Sequence, residues 1–118
     1  MAKLTIEGTD LVLSLTTTEK IAALHGDVRV PLQQVTSIET LPDALAAVHG
    51  VRAPGLAFPG RTKIGTWRGR GARRFVVARR GEPGLRIRMK GARYDELLVA
   101  TPAGERVAAM IREGAGRA

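Results

Sequence analysis

Residues 85–90 alternate apolar and basic side chains, residues 73–79 set an apolar run between arginines, the two flank Gly81-Glu82-Pro83-Gly84, and no other stretch restricts the fold as tightly. A period of two is the signature of a strand with one face buried, and a Gly/Pro cluster between two such runs marks a turn. The pattern predicts a β-hairpin. Matching the apolar faces pairs Phe75 with Met89, Val77 with Ile87 and Arg79 with Leu85. The opposite face then sets Arg74 against Lys90, Val76 against Arg88 and Ala78 against Arg86, because a strand's side chains change face at every residue.

The remainder of the chain reads as further short strands with two helices. Residues 3–7 and 11–15 alternate around Gly8-Thr9-Asp10, residues 28–31 end at Pro31, and residues 35–41 alternate again. Residues 63–68 place Ile64 and Thr66 on one face and Gly65 and Trp67 on the other, and residues 94–100 form a last strand. Thr17 opens a short helix that runs to residue 24 before Gly26, and Pro42 to Val48 allow one or two helical turns. Pro54-Gly55 and Pro59-Gly60 predict a long loop over residues 49–61. The chain closes on its clearest helix: Thr101 as N-cap, Pro102 at the first helical position, and Val107, Met110 and Ile111 on one face. Gly114 is expected to end it, leaving residues 1–113 as one domain and 114–118 as a short flexible tail.

With 118 residues and four aromatics (Phe58, Trp67, Phe75, Tyr94), a single aliphatic core is expected. The fold class that follows is mainly β (α+β), a sheet or barrel with the terminal helix packed on it. No cysteine is present, so disulfides, thiolate catalysis and cysteine-based metal sites are excluded. His25 and His49 have no histidine or cysteine to complete a zinc site. Ser14 and Ser37 lie in strand patterns without a nucleophile motif, and Gly65, Gly69 and Gly71 lack the strand-to-helix setting of a phosphate-cradling loop. Neither an enzyme, a cofactor nor a metal is expected. Glu7 and Asp10 interrupt the N-terminal apolar residues, and no run approaches the ~18 apolar residues of a spanning helix. A cytoplasmic location is the expectation.

Charge is distributed unevenly. Residues 52–93 carry thirteen Lys and Arg against a single carboxylate, Glu82, a net charge of +12 in a chain whose total is +8. Arg86, Arg88 and Lys90 recur at every second residue, which on a strand stacks three cations about 6.5–7 Å apart. Arg68, Arg70, Arg73 and Arg74 form a cationic turn beside Trp67. These seven residues are the candidate binding surface for an acidic protein or anionic lipid headgroups. Nucleic acid is the weaker alternative, since one tryptophan and one tyrosine fall short of a base-stacking surface. Homo-oligomerisation through strand edges is another. Against all of these stands an ordinary solvated sheet face, on which arginines reach water from apolar stems.

The stretches VRVPLQQVTSIE at 28–39, GVRAPG at 50–55, GLRIRM at 84–89 and YDELLV at 94–99 resemble the small bacterial pleckstrin-homology-like (PH-like) proteins common in actinobacteria. The resemblance covers nearly the whole chain and rests on strands and turns, without a catalytic signature. It implies a half-open antiparallel β-barrel of two near-orthogonal sheets, capped by a C-terminal α-helix, and a non-enzymatic binding or scaffold role. Lipid-reading members use basic residues around their first hairpin loop. Only Lys3 and Lys20 precede Arg29 here, so that site is not reproduced.

Overall fold

The computed structural model describes residues 3–23, 26–48, 51–58, 62–69 and 71–117, with the side chains of 22, 23, 51–58, 116 and 117 outside the description. Among the described residues nine strands form two sheets. Strands β1 (Lys3–Glu7), β2 (Asp10–Ser14) and β3 (Val28–Pro31) make an antiparallel sheet in sequence order. Strands β4 (Val35–Leu41), β5 (Val51–Phe58), β6 (Thr62–Gly69), β7 (Ala72–Arg79), β8 (Gly84–Met89) and β9 (Glu96–Ala100) make a second sheet, in the order β4-β8-β9-β7-β6-β5. Helix α1 (Thr17–Ala23) follows β2, and α2 (Gly104–Arg117) follows β9. The protein is mainly β, with two sheets and a C-terminal helix. No ladder joins the two sheets among the described residues.

The hairpin expected from residues 73–90 does not form. Strand β9 lies between β7 and β8, parallel to β7 and antiparallel to β8, so the large sheet is mixed. The reason lies in the composition of β9. Every residue from Glu96 to Ala100 is buried, with Leu97 and Val99 on one face and Leu98 and Ala100 on the other. A strand covered on both faces belongs in the middle of a sheet, where both edges are also hydrogen-bonded. The proposed partners of β7 and β8 are therefore one strand too far apart. Their apolar faces nevertheless point as expected: Phe75, Val77, Leu85, Ile87 and Met89 all enter one core.

That core fills the space between the sheets. Leu4, Leu11, Leu13, Val28, Val30 and Leu32 from the small sheet and its exit meet Ile64, Phe75, Val77, Ile87, Leu97 and Val99 of the large one. From α2, Ala108 and Ile111 are buried and Val107 is half-buried, whereas Met110 turns off the stripe and is 39% exposed. A second cluster sits on the outer face of the large sheet. Here Trp67, Val76, Ala78 and Leu98 lie beneath Ala44, Val48 and the 3-10 turn Leu45–Ala47. The close approach depends on Gly84, where an added Cβ would strike the Val99 carbonyl and lie 2.8 Å from the Ala44 Cβ.

Two further expectations are corrected. The predicted loop at 49–61 contains β5, an eight-residue strand whose ladder with β6 shifts register between Arg52 and Gly55. That irregularity brackets Pro54, which is how a strand tolerates a proline with no N–H to donate. Gly114 does not end α2, which runs on to Arg117. A Cβ at Gly114 would stand 3.1 Å from both Ile6 Cδ1 and Leu32 Cδ1, so this glycine brings the helix close to the small sheet. Residues 114–117 are helix, not tail.

Helix α1 is fixed by a reciprocal cap. The Thr16 N–H donates to Glu19 Oε1 at 2.9 Å and the Glu19 N–H donates to Thr16 Oγ1 at 3.2 Å. Glu19 is only 1% exposed and also accepts from Arg79 at 3.1 Å, tying α1 to the end of β7. Burial pushes its carboxyl up, but the Thr16 N–H, the Arg79 guanidinium and the Thr16 hydroxyl outweigh it and hold the pKa below the ordinary 4.5.

Candidate functional site

The sheet order divides the basic residues into two groups that the sequence had merged. On the outer face Arg74, Glu96 and Arg88 stand in one row across β7, β9 and β8. Arg86 stands beside Glu39 of β4 in the next. Arg74 Nε donates to Glu96 Oε2 at 2.9 Å, and Arg86 donates from a terminal nitrogen to Glu39 Oε1 at 3.1 Å. Arg86 Nε also touches Glu96 Oε1, out of line for a hydrogen bond. The result is a ladder of alternating charge, Arg74–Glu96–Arg86–Glu39. With side-chain exposures of 16% and 18%, Arg74 and Arg86 are structural cations neutralised from within. The expected opposition of Arg74 and Lys90 is absent, because Glu96 fills the place between β7 and β8.

The second group collects at one end of the large sheet. Antiparallel β6 and β7 meet in a tight turn at Gly71, whose φ of 73° lies in the left-handed region that favours glycine. Beside it Arg68 and Arg73 are direct cross-strand partners. Because β9 runs parallel to β7 and β8 runs back, the β8–β9 connection lies at this same end and brings Arg88, Lys90 and Arg93 with it. Arg68, Arg88, Lys90 and Arg93 are exposed and Arg73 is half-buried. Among the described residues none of the five makes an ion pair with a carboxylate, whereas Lys20, Arg29, Arg74, Arg79 and Arg86 all do. Arg70 lies outside the described residues, as do His25 and His49.

Arg93 was not among the sequence candidates, and its place is set by Tyr94. The Tyr94 ring is buried edge-on against Phe75, centroids 5.4 Å apart, with its hydroxyl 3.4 Å from Thr66 Oγ1. The guanidinium carbons of Arg73 and Arg93 lie 5.9 and 5.8 Å from its centroid, within cation–π range. The backbone completes the arrangement. Asp95 Oδ2 accepts from the Arg73 N–H at 2.8 Å, and the Asp95 N–H returns a 2.8 Å bond to the Arg73 carbonyl. Asp95, the one carboxylate in the connection, thus accepts a backbone N–H through Oδ2. The signal available in sequence was the Arg-Tyr pair at 93–94, but only the topology brings Arg73 to the same ring.

No protein-family model, curated protein or solved structure matches the chain.

The rest of the surface offers little for chemistry. Among the described residues no group of three His, Asp or Glu could hold a metal ion. Among the described residues a cleft of about 340 Å³ lies between Thr40, Pro83 and the start of α2. No described helix is long and apolar enough to cross a membrane. Trp67 is 3% exposed and packs in the outer cluster.

Proposed function

We propose that this chain is a non-enzymatic binding or scaffold module, PH-like in general build, that holds an acidic protein surface against the cationic end of its large sheet. The observation that carries the reading is the contrast between the two groups of arginines. Arg74 and Arg86 are paired with Glu96 and Glu39, while among the described residues Arg68, Arg73, Arg88, Lys90 and Arg93 gather at one end with no ion pair to a carboxylate. Cations left unpaired in a cluster repel one another, and an anionic partner relieves that repulsion. The PH-like kinship is supported by the two sheets and the C-terminal helix; the parallel pairing of β7 and β9 departs from it.

A protein partner is favoured over the other polyanions. The exposed large apolar side chains, Ile21 and Met110, lie on α1 and α2, so no described apolar residue stands ready to insert into a bilayer beside the basic cluster. Trp67, Phe75 and Tyr94 are all buried, which removes them as base-stacking platforms. Self-assembly through the β4 edge is disfavoured because Arg112 already donates to the outward Ile38 carbonyl at 3.0 Å.

The test compares wild type with Arg88→Glu/Lys90→Glu/Arg93→Glu in pull-downs from lysate at low and moderate salt. Parallel arms use phosphatidylserine vesicles and duplex DNA. The triple variant is expected to keep its fold and lose an acidic protein that wild type retains. Equal retention by both proteins would remove this surface from consideration, and preferential binding to vesicles or DNA would replace the protein partner with that polyanion.

A further inference from the structure

Within the proposed cationic site, two of the five basic side chains differ from the rest in what holds them. Arg68, Arg88 and Lys90 project from the ends of strands, whereas Arg73 and Arg93 both lie against Tyr94. Tyr94 cannot easily move. It is 3% exposed, meets Phe75 at an interplanar angle of 62°, and sits in the main core. The reciprocal Arg73–Asp95 bonds, one backbone to backbone and one to the Asp95 carboxylate, also fix the two segments that carry the arginines. Free arginine side chains lose considerable rotamer entropy when they bind, and a guanidinium already stacked has less to lose.

We infer that Tyr94 is a positioning residue for the anion-binding surface: it holds the Arg73 and Arg93 guanidiniums ready, so that the site recognises carboxylate groups by orientation as well as by charge. The inference rests on the proposed function but makes a separate claim. A purely electrostatic patch depends on the number of cations and treats Arg and Lys alike. A prearranged pair of planar forks binds carboxylates bidentately and is weakened when the ring or the forks are replaced at constant charge.

The probe is poly-L-glutamate of defined length, with affinity measured from low to moderate salt. Arg73→Lys/Arg93→Lys leaves the net charge and Tyr94 unchanged and removes both guanidiniums. Its affinity is expected to fall about tenfold, the scale of two surface cation–π contacts and their fork geometry, with the salt dependence preserved. Tyr94→Leu is expected to show the same loss, and Tyr94→Phe, which keeps the ring, to retain wild-type affinity. If Tyr94→Leu does not fold, the double lysine variant and Tyr94→Phe carry the test without it. Wild-type affinity in the double lysine variant overturns this inference and leaves the proposed function standing. Failure of wild type itself to bind poly-L-glutamate, in the absence of added salt, overturns both.

Discussion

Replacing Glu96 with glutamine tests whether the arginines on the outer face hold the sheet together. The change is nearly isosteric and strands Arg74, whose one ion-pair partner among the described residues is Glu96, while Arg86 keeps Glu39. Removing one member of a fully buried pair costs about 3–5 kcal/mol. Here Arg74 and Arg86 are 16% and 18% exposed, and the glutamine amide oxygen can still accept a hydrogen bond. Solvent access and these remaining partners reduce the expected loss to about 2–3 kcal/mol. For a chain of this length about 4 °C in Tm accompanies each kcal/mol, so the midpoint should fall by about 8–12 °C. Urea unfolding followed by fluorescence is the natural assay, because Trp67 is the single tryptophan and is buried on the same face. Arg74→Met/Glu96→Leu should recover part of the loss by removing the stranded charge along with its partner. Arg88→Gln, an exposed position, should change stability by less than about 0.5 kcal/mol. A Glu96→Gln protein within about 0.5 kcal/mol of wild type would show that the ladder is ornamental to stability, and the division of the basic residues into two groups would lose its physical basis.

Glu19 supplies a pH-dependent counterpart. Its folded pKa is lowered below 4.5, so its contribution to stability is fully present above that value and is lost as pH falls through the folded pKa. Glu19→Gln should therefore cost about 1–2 kcal/mol at pH 7, through the cap and the Arg79 contact, and the gap to wild type should close as urea titrations are moved from pH 5 to pH 3. A gap that stays constant over that range would mean the carboxylate charge is irrelevant. Gly84→Ala should lose about 3 kcal/mol, because the new Cβ meets the backbone carbonyl of Val99 rather than a side chain able to swing away; a near-neutral result in thermal unfolding would contradict the packing of the 3-10 segment on β8. Phe75→Ala, at the centre of the main core, should cost about 3–5 kcal/mol, read from the urea midpoint, and a loss below 1 kcal/mol would place the core elsewhere.

Most strands were legible because alternation is a local property. The faces of residues 64–67 and 85–89 follow from period two, and the structure agrees: Ile64, Leu85, Ile87 and Met89 enter the main core and Trp67 the outer cluster. Strand neighbours were not legible, because they depend on long-range competition. Phe75, Val77, Leu85 and Ile87 would present much the same apolar face whether β7 met β8 directly or across β9. The deciding residues are 97–100, Leu-Leu-Val-Ala, a run apolar on both faces that calls for a central position. Thr16 and Glu19 also stand in the sequence at capping-box spacing, one residue before and two residues after the helix start at Thr17. Gly114 is ambiguous in sequence because glycine both ends helices and allows close approach, and only the positions of Ile6 and Leu32 separate the two. The candidate site suffered from the same neighbour error: Arg74 and Arg86 were assigned to a partner because Glu96 and Glu39 could not be placed beside them.

The central position of β9 has a kinetic consequence. β7 and β8 are joined by only four residues, 80–83, and precede β9 in the chain. Until β9 arrives, their facing edges are unpaired, and the nearest available partner for each is the other. The local hairpin that the sequence pattern favours is thus a competitor on the way to the native sheet, one that must open to admit Leu97 and Leu98. Nonlocal pairing already slows folding, and a local pairing that has to be undone slows it further. Trp67 shares the outer cluster with Leu98, so its fluorescence in stopped-flow refolding should report the insertion itself. A folding limb that flattens at low urea would mark the hairpin's release as the slow event; a straight limb would mean that β7 and β8 wait apart for their third strand.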